Sequence, residues 1–176
     1  MSLPTLIVVS GAPGTGKTQL AHALAKAVGC PAVCRDEIKE GMVFTEGRGF
    51  VAAAGDPLTA RTYPLFFTVV RTLLEAGVTV VAEAAFQDQR WREGLGQLAP
   101  LAQLRIIQCT VSDGVALARR EGRSSEPTRA AHDDTGPVVA PSRFAALSID
   151  APRLVVDTTD GYAPPFDALV RFARST

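Results

Sequence analysis

Short apolar runs alternate along the chain with stretches whose apolar residues recur at helical spacing. Residues 5–9 (TLIVV) form a β-branched run of the kind that is buried on both faces of a parallel sheet. Beyond a glycine-rich stretch, Leu20, Ala21, Leu24, Ala27 and Val28 mark an amphipathic helix that Gly29 stops. Residues 31–34 predict a second, weaker strand. A short helix over 37–42 follows, with Asp36 placed to cap it. Residues 43–57 are loose, glycine-containing and carry exposed-looking Phe44, Phe50 and Val51. Residues 58–76 predict a long helix or helix pair, kinked or restarted at Pro64. A third strand is expected over 78–82, a helix over 89–98 despite Gly94 and Gly96, and a fourth strand over 104–109. Ser112 is placed to cap a helix running to about Arg123. After the polar stretch 124–137, residues 142–147 predict a short helix, 154–157 a fifth strand, and Pro164 opens a last amphipathic helix.

Strands that alternate with helices imply an α/β fold with a parallel sheet covered on both faces, because parallel strands need crossovers. Nothing in the pattern suggests a repeat or a linker, so a single domain is expected over 1–176. Ligands in such folds gather at the carboxyl ends of the strands. The segments to inspect are therefore 10–18, 35–39, 83–88, 110–113 and 157–160.

The first of these carries the clearest chemistry. Gly11-Ala12-Pro13-Gly14-Thr15-Gly16-Lys17-Thr18 has the Gly-x4-Gly-Lys-Thr spacing of a P-loop, between a strand and a helix that begins at Gln19. Residues 11–18, with Gln19 at the start of the following helix, are the expected nucleotide-binding residues: backbone N–H groups would converge on a polyphosphate, helped by the positive end of that helix. Lys17 would reach the β- and γ-phosphates, and the Thr18 hydroxyl would hold Mg2+.

Composition then narrows the partners. The formal net charge is zero and is balanced along the chain, which disfavours a large polyanion while leaving a short nucleic acid open. The three cysteines, Cys30, Cys34 and Cys109, lack the paired spacing of a zinc finger and read as reduced thiols of a cytoplasmic protein. No apolar run reaches membrane-spanning length.

Other post-strand residues add candidates, each with a plainer alternative. Asp36 and Lys39 would share a helix face over the P-loop, where a carboxylate can accept a hydroxyl proton. Alternatively Asp36 only caps the helix and Lys39 is solvated. Glu83 is a magnesium partner or a helix-initiating carboxylate. Arg119, Arg120 and Arg123 form a solvated helix end or, with Arg129 and His132 in the polar stretch, a lid of guanidinium groups at about 119–137. His132 beside Asp133 and Asp134 reads as plain loop, and His22 as an idle, outward-facing residue of the first helix.

Taken together, the motifs at 11–18, 35–39 (RDEIK), 80–86 (VVAEAAF), 118–123 (ARREGR) and 156–159 (VDTT) resemble the small P-loop kinase family. That family includes chloramphenicol phosphotransferase, the zeta-toxin-type kinases and the kinase half of polynucleotide 5′-kinases, with an AAA-type ATP-binding domain. The resemblance implies a three-layer P-loop NTPase fold with strand order 2-3-1-4-5. It also implies transfer of the γ-phosphate of ATP, with Mg2+, to a hydroxyl. By the same resemblance Asp36 is the base, Arg119 packs near the adenine, and Arg123 and Arg129 contact phosphates. Lys39 stands where polynucleotide-kinase-like members carry an arginine, and a lysine does not make the same bidentate clamp on a phosphate.

Three readings follow. The first is a kinase of a small-molecule alcohol, antibiotic-like or sugar-like, using Lys17, Asp36 and Arg123. The second is a kinase of polynucleotide 5′-ends or of a nucleotide sugar. The third is a nucleotide-dependent switch or regulatory ATPase. A GTPase is disfavoured by the lack of an Asn-Lys-x-Asp motif among only three lysines.

Overall fold

Why the first apolar run lies at the centre is visible in its side-chain alternation. In the computed structural model, which describes residues 3–46, 50–52, 56–123, 131–132 and 140–175, this run is β1 (Thr5–Gly11). Leu6 and Val8 face one side of the sheet, Ile7 and Val9 the other, and all four are fully buried. The strands β1, β2 (Ala32–Cys34), β3 (Val80–Glu83), β4 (Gln103–Thr110) and β5 (Arg153–Asp157) form one sheet in the order β2-β3-β1-β4-β5. Every neighbouring pair is parallel. The expected architecture and strand order are thus observed.

Helices cover both faces. On the Leu6/Val8 side, α3 (Pro57–Glu75) and α4 (Asp88–Leu98) supply Phe66, Val70, Leu74, Trp91 and Leu95. On the Ile7/Val9 side, α1 (Lys17–Val28) and α6 (Phe166–Arg174) supply Leu20, Leu24 and Leu169. Two further helices, α2 (Arg35–Glu46) and α5 (Asp113–Glu121), begin at the carboxyl ends of β2 and just beyond β4. No helix among the described residues is long and apolar enough to cross a membrane.

Several local expectations shift. The third strand starts later than residue 78 because Val78 closes the preceding helix: its N–H donates to Leu73 O and that of Gly77 to Leu74 O. The extra residue at the other end places Glu83 inside the strand. The long helix does not restart at Pro64 but runs through it, begun by Asp56, whose carboxylate accepts from Thr59 N. Gly94 is a packing glycine, since a Cβ there would stand 2.4 Å from the Phe67 ring. Asp36 is not a helix cap: α2 starts at Arg35 and continues to Glu46, so Asp36 lies in its first turn. The expected helix at 142–147 shrinks to a single 3-10 turn, Pro141–Arg143. There the Ser142 N–H and hydroxyl both donate to the Asp113 carboxylate, while Ser148 is tied to Asp88. Those staples hold the segment as a strap instead of a helix.

Candidate active site

The loop between β1 and α1 is bound to its surroundings largely through backbone groups. The Thr15 hydroxyl donates to Ala12 O at 2.8 Å and its N–H to the same oxygen at 3.3 Å. Pro13 and Gly14 form the turn, and Gly14 adopts φ 87°. A Cβ on Gly14 would meet Ala116 O of α5 at 2.5 Å, so the helix after β4 presses directly on the loop. From the far side Thr158, just after β5, donates its hydroxyl to Thr15 O at 2.7 Å, and its N–H bonds Thr110 O at 3.0 Å. Three strand ends therefore clamp one loop.

Arg119 joins the same clamp. Its guanidinium donates to Thr158 O at 2.6 Å, Thr159 O at 3.1 Å and the Thr158 hydroxyl at 3.3 Å. Arg123 Nε donates to Arg119 O at 3.2 Å. The result is a pocket of about 490 Å3 whose lining includes Gly14, Gly16, Thr18, Gln19, Arg119 and Arg123. These expected nucleotide residues are brought together. Arg129 and most of the expected lid lie outside the described residues. Thr158 was not among the expected site residues, although the motif at 156–159 contained it.

On the other side of Lys17 lie the carboxylates. Glu83 is 1% exposed. Its Oε2 accepts the Thr18 hydroxyl at 3.1 Å, and its Oε1 lies 3.8 Å from Lys17 Nζ but has no hydrogen-bond partner. Burial pushes its pKa up, and the Asp36 charge adds to that, against the opposing pull of Lys17 and the Thr18 bond. A buried carboxylate oxygen without a partner, beside a hydroxyl already aimed at its twin, is an environment that a hard cation relieves. Hydroxyl and carboxylate oxygens are the donor set that Mg2+ takes, so Thr18 and Glu83 fit the expected ion. Nothing supports the alternative of Glu83 as a helix-initiating residue, because it ends β3 and α4 begins at Asp88.

Asp36 is about half-exposed, hydrogen-bonded by Arg35 Nη1 at 2.7 Å. Burial raises its pKa, but the charges of Lys17, Arg35 and His132 and the Arg35 hydrogen bond outweigh that and leave it lowered. Lys17 is the largest of those charge contributions, so the Asp36 carboxylate lies within its field. Lys39 does something neither expectation foresaw. Instead of facing the loop or solvent, it is buried and its Nζ lies 2.7 Å from Asp56 Oδ2, with 4% and 3% of the two side chains exposed. Asp56 is the same residue that begins α3, and these bonds bring its pKa down to about 2 against the effect of burial.

His132 also departs from the plain-loop reading, since its Nε2 lies 2.8 Å from Glu40 Oε1, one turn beyond Asp36 on α2. Within residues 63–70, Phe66 and Val70 lie in the core and Tyr63, Phe67 and Val69 pack against it, while Pro64, Leu65 and Thr68 are exposed. Tyr63, Phe66 and Phe67 interlock with Phe86 and Trp91 at ring-centroid distances of 4.8–5.9 Å. Phe44, in contrast, stands 89% exposed on α2, as its sequence context suggested.

A five-stranded parallel sheet of this order, a P-loop at its central strand and a carboxylate across from the loop lysine define a kinase-like P-loop nucleotide-binding domain. A family model described as an AAA domain matches residues 6–136, most of the chain, and the protein belongs to that family. Among solved structures it is similar to a candidate kinase from Chloroflexus aurantiacus J-10-fl, 27% identical over 98% of each chain with a TM-score of 0.84. It is also similar to a gluconokinase from Sinorhizobium meliloti 1021, 22% identical over 98% of this chain and 91% of that one, TM-score 0.59. The APS kinase CysC of Mycobacterium tuberculosis, solved with AMPPNP and APS, is 14% identical over 88% and 90%, TM-score 0.58. No curated protein matches the sequence. The chain is thus a member of the small P-loop kinase family that its motifs resemble.

Proposed function

We propose that the protein transfers the γ-phosphate of ATP to a hydroxyl group of a small-molecule alcohol, antibiotic-like or sugar-like. The observation that carries this is the position of Asp36, in the first turn of the helix that follows β2 and within the field of the Lys17 charge. Phosphoryl transfer asks little covalent chemistry of the protein; it asks for alignment and for charge to be neutralised. Lys17 and the loop N–H groups would hold the β- and γ-phosphates, with Arg119 and Arg123 closing the same pocket. Thr18 and Glu83 would hold Mg2+, which when bound draws charge from the phosphates. Asp36 would orient the acceptor hydroxyl and receive its proton as the new P–O bond forms. The similarity to a gluconokinase and to a kinase solved with an ATP analogue supports the donor and the reaction class.

Lys39 weighs against a polynucleotide acceptor. With its ammonium group committed to Asp56, it is not offered to a nucleic-acid phosphate.

The test is a mass-spectrometric screen in which the protein, ATP and Mg2+ are incubated with a library of sugars, alcohols and antibiotics, with Lys17→Ala as control. A phosphorylated product made by the native protein alone supports the reading. ATP hydrolysis at a rate that no acceptor alters would favour a regulatory ATPase instead.

A further inference from the structure

His22, Cys34 and Glu37 come from three different elements and meet at one point. His22 lies on the helix that follows the P-loop, Cys34 ends β2, and Glu37 is in the first turn of the helix carrying Asp36. His22 Nε2 is 2.6 Å from Glu37 Oε1 and 3.9 Å from Cys34 Sγ. All three potential ligand atoms lie within 4.8 Å of one another. Among the described residues this is the one group of three or more histidine, cysteine or acidic side chains so placed. We propose that it is a binding site for a borderline-soft divalent metal ion, with Zn2+ the best chemical fit, distinct from the magnesium position at Thr18 and Glu83.

The donor set argues for that class of ion. Imidazole, thiolate and carboxylate are the ligands of zinc, whereas Mg2+ seeks oxygen alone. Zn–S bonds of about 2.3 Å and Zn–N or Zn–O bonds of about 2.0–2.2 Å set tetrahedral ligand atoms roughly 3.2–3.8 Å apart. The cysteine–histidine separation is already near that value, and the histidine–glutamate contact needs to open by about 0.7 Å. His22 and Glu37 are both half-exposed while Cys34 is 2% exposed, so the ion would enter from solvent and keep a fourth position for water. Burial, with the nearby Glu83 and Glu37 charges, keeps the free Cys34 thiol protonated. Coordination therefore displaces waters from the ion and sends the thiol proton to solvent, with no change of oxidation state.

The placement gives the ion a structural consequence. It would pin the P-loop helix to the helix that bears Asp36, one residue before Glu37. In the sheet, Cys34 is the register partner of Glu83. An ion here would thus fix the spacing between the donor-side helix and the carboxylate opposite it. This inference does not depend on the identity of the acceptor, or on the protein being a kinase.

Cobalt is the direct probe, because a thiolate ligand produces a sulfur-to-cobalt charge-transfer band that oxygen ligands at Thr18 and Glu83 do not. Titration of the full chain with Co2+ should yield that band with one-to-one stoichiometry, together with visible bands of tetrahedral cobalt. Zn2+ should bleach both. Cys34→Ser should abolish the charge-transfer band. His22→Ala, a change on the exposed side of its helix that leaves the core intact, should weaken binding by about tenfold or more, at least the scale on which outer partners of metal ligands act. Zn2+ should raise the melting temperature of the native protein but not that of His22→Ala. The proposal is overturned if no sulfur band appears, if the band persists in Cys34→Ser, or if His22→Ala binds cobalt as tightly as the native chain.

Discussion

Around Gly14 and Gly16 the site is shaped by backbone; around Asp36 it is shaped by pairs of side chains. The nucleotide half is one contiguous loop, gripped by Ala116 O, by the Thr158 hydroxyl and by the hydrogen bonds of Arg119 to the carbonyls after β5. The half proposed to meet the acceptor holds the pairs Arg35–Asp36, Lys39–Asp56 and His132–Glu40, which reach up to 92 positions along the chain. A backbone cradle serves any nucleoside triphosphate, because it reads phosphate geometry alone. Side-chain pairs can be exchanged without disturbing that cradle.

The comparison breaks most visibly at the buried pair. Lys39→Met should leave Asp56 charged without its cation and destabilise the protein by about 3–5 kcal/mol, seen in urea denaturation. The accompanying change to Asp56→Leu should recover much of that loss, although the bond to Thr59 N is lost with it. Asp56 also sets a pH dependence. Its pKa falls from 3.8 to about 2 on folding, so the folded protein binds fewer protons there than the unfolded chain does. The pair's contribution is therefore complete above about pH 5 and declines as pH falls through 2. Acid titration of the native protein and of the double variant should diverge in that window.

Gly14→Ala attacks the other half. Its Cβ would stand 2.5 Å from a backbone oxygen at a positive φ, at a cost of about 2–4 kcal/mol. Nucleotide affinity, followed by titration with a non-hydrolysable ATP analogue, should collapse. The Lys39 variant, where it remains folded, should bind the analogue normally. Thr158→Val is milder: it removes the hydroxyl bond to Thr15 O and should cost about 1–2 kcal/mol with a modest loss of nucleotide affinity. The smallest effect belongs to His132→Ala, about 0.5–1 kcal/mol in stability, with a rise in acceptor KM and an unchanged KM for ATP.

The same contrast explains what could be read from the sequence. Gly11 to Thr18 was legible because its chemistry is local: each residue's role follows from its neighbours within eight positions. Asp36 and Glu83 were singled out as residues after strands, where parallel sheets place ligands, although Glu83 proves to be the last residue of β3 itself. The fate of Lys39 was not, because its partner sits 17 positions away, beyond a loose segment with no periodicity. The His132–Glu40 contact and the convergence of His22 with Glu37 were equally hidden, each depending on how separate elements pack. The strap at 140–150 misled for a related reason. Its apolar spacing resembles a helix, but Asp113 and Asp88 capture the serine hydroxyls and N–H groups at 142 and 148.

The central claim is that Asp36 acts on the acceptor and not on the nucleotide. Asp36→Asn keeps the shape of the side chain and removes its ability to take a proton. Once a phosphorylated acceptor is in hand, single-turnover transfer and nucleotide affinity should be measured on the same preparation. Transfer should fall by about 10^2–10^4-fold while the Kd for the ATP analogue stays within about twofold. Transfer at the native rate in Asp36→Asn, or a loss explained entirely by weaker nucleotide binding, would contradict the account.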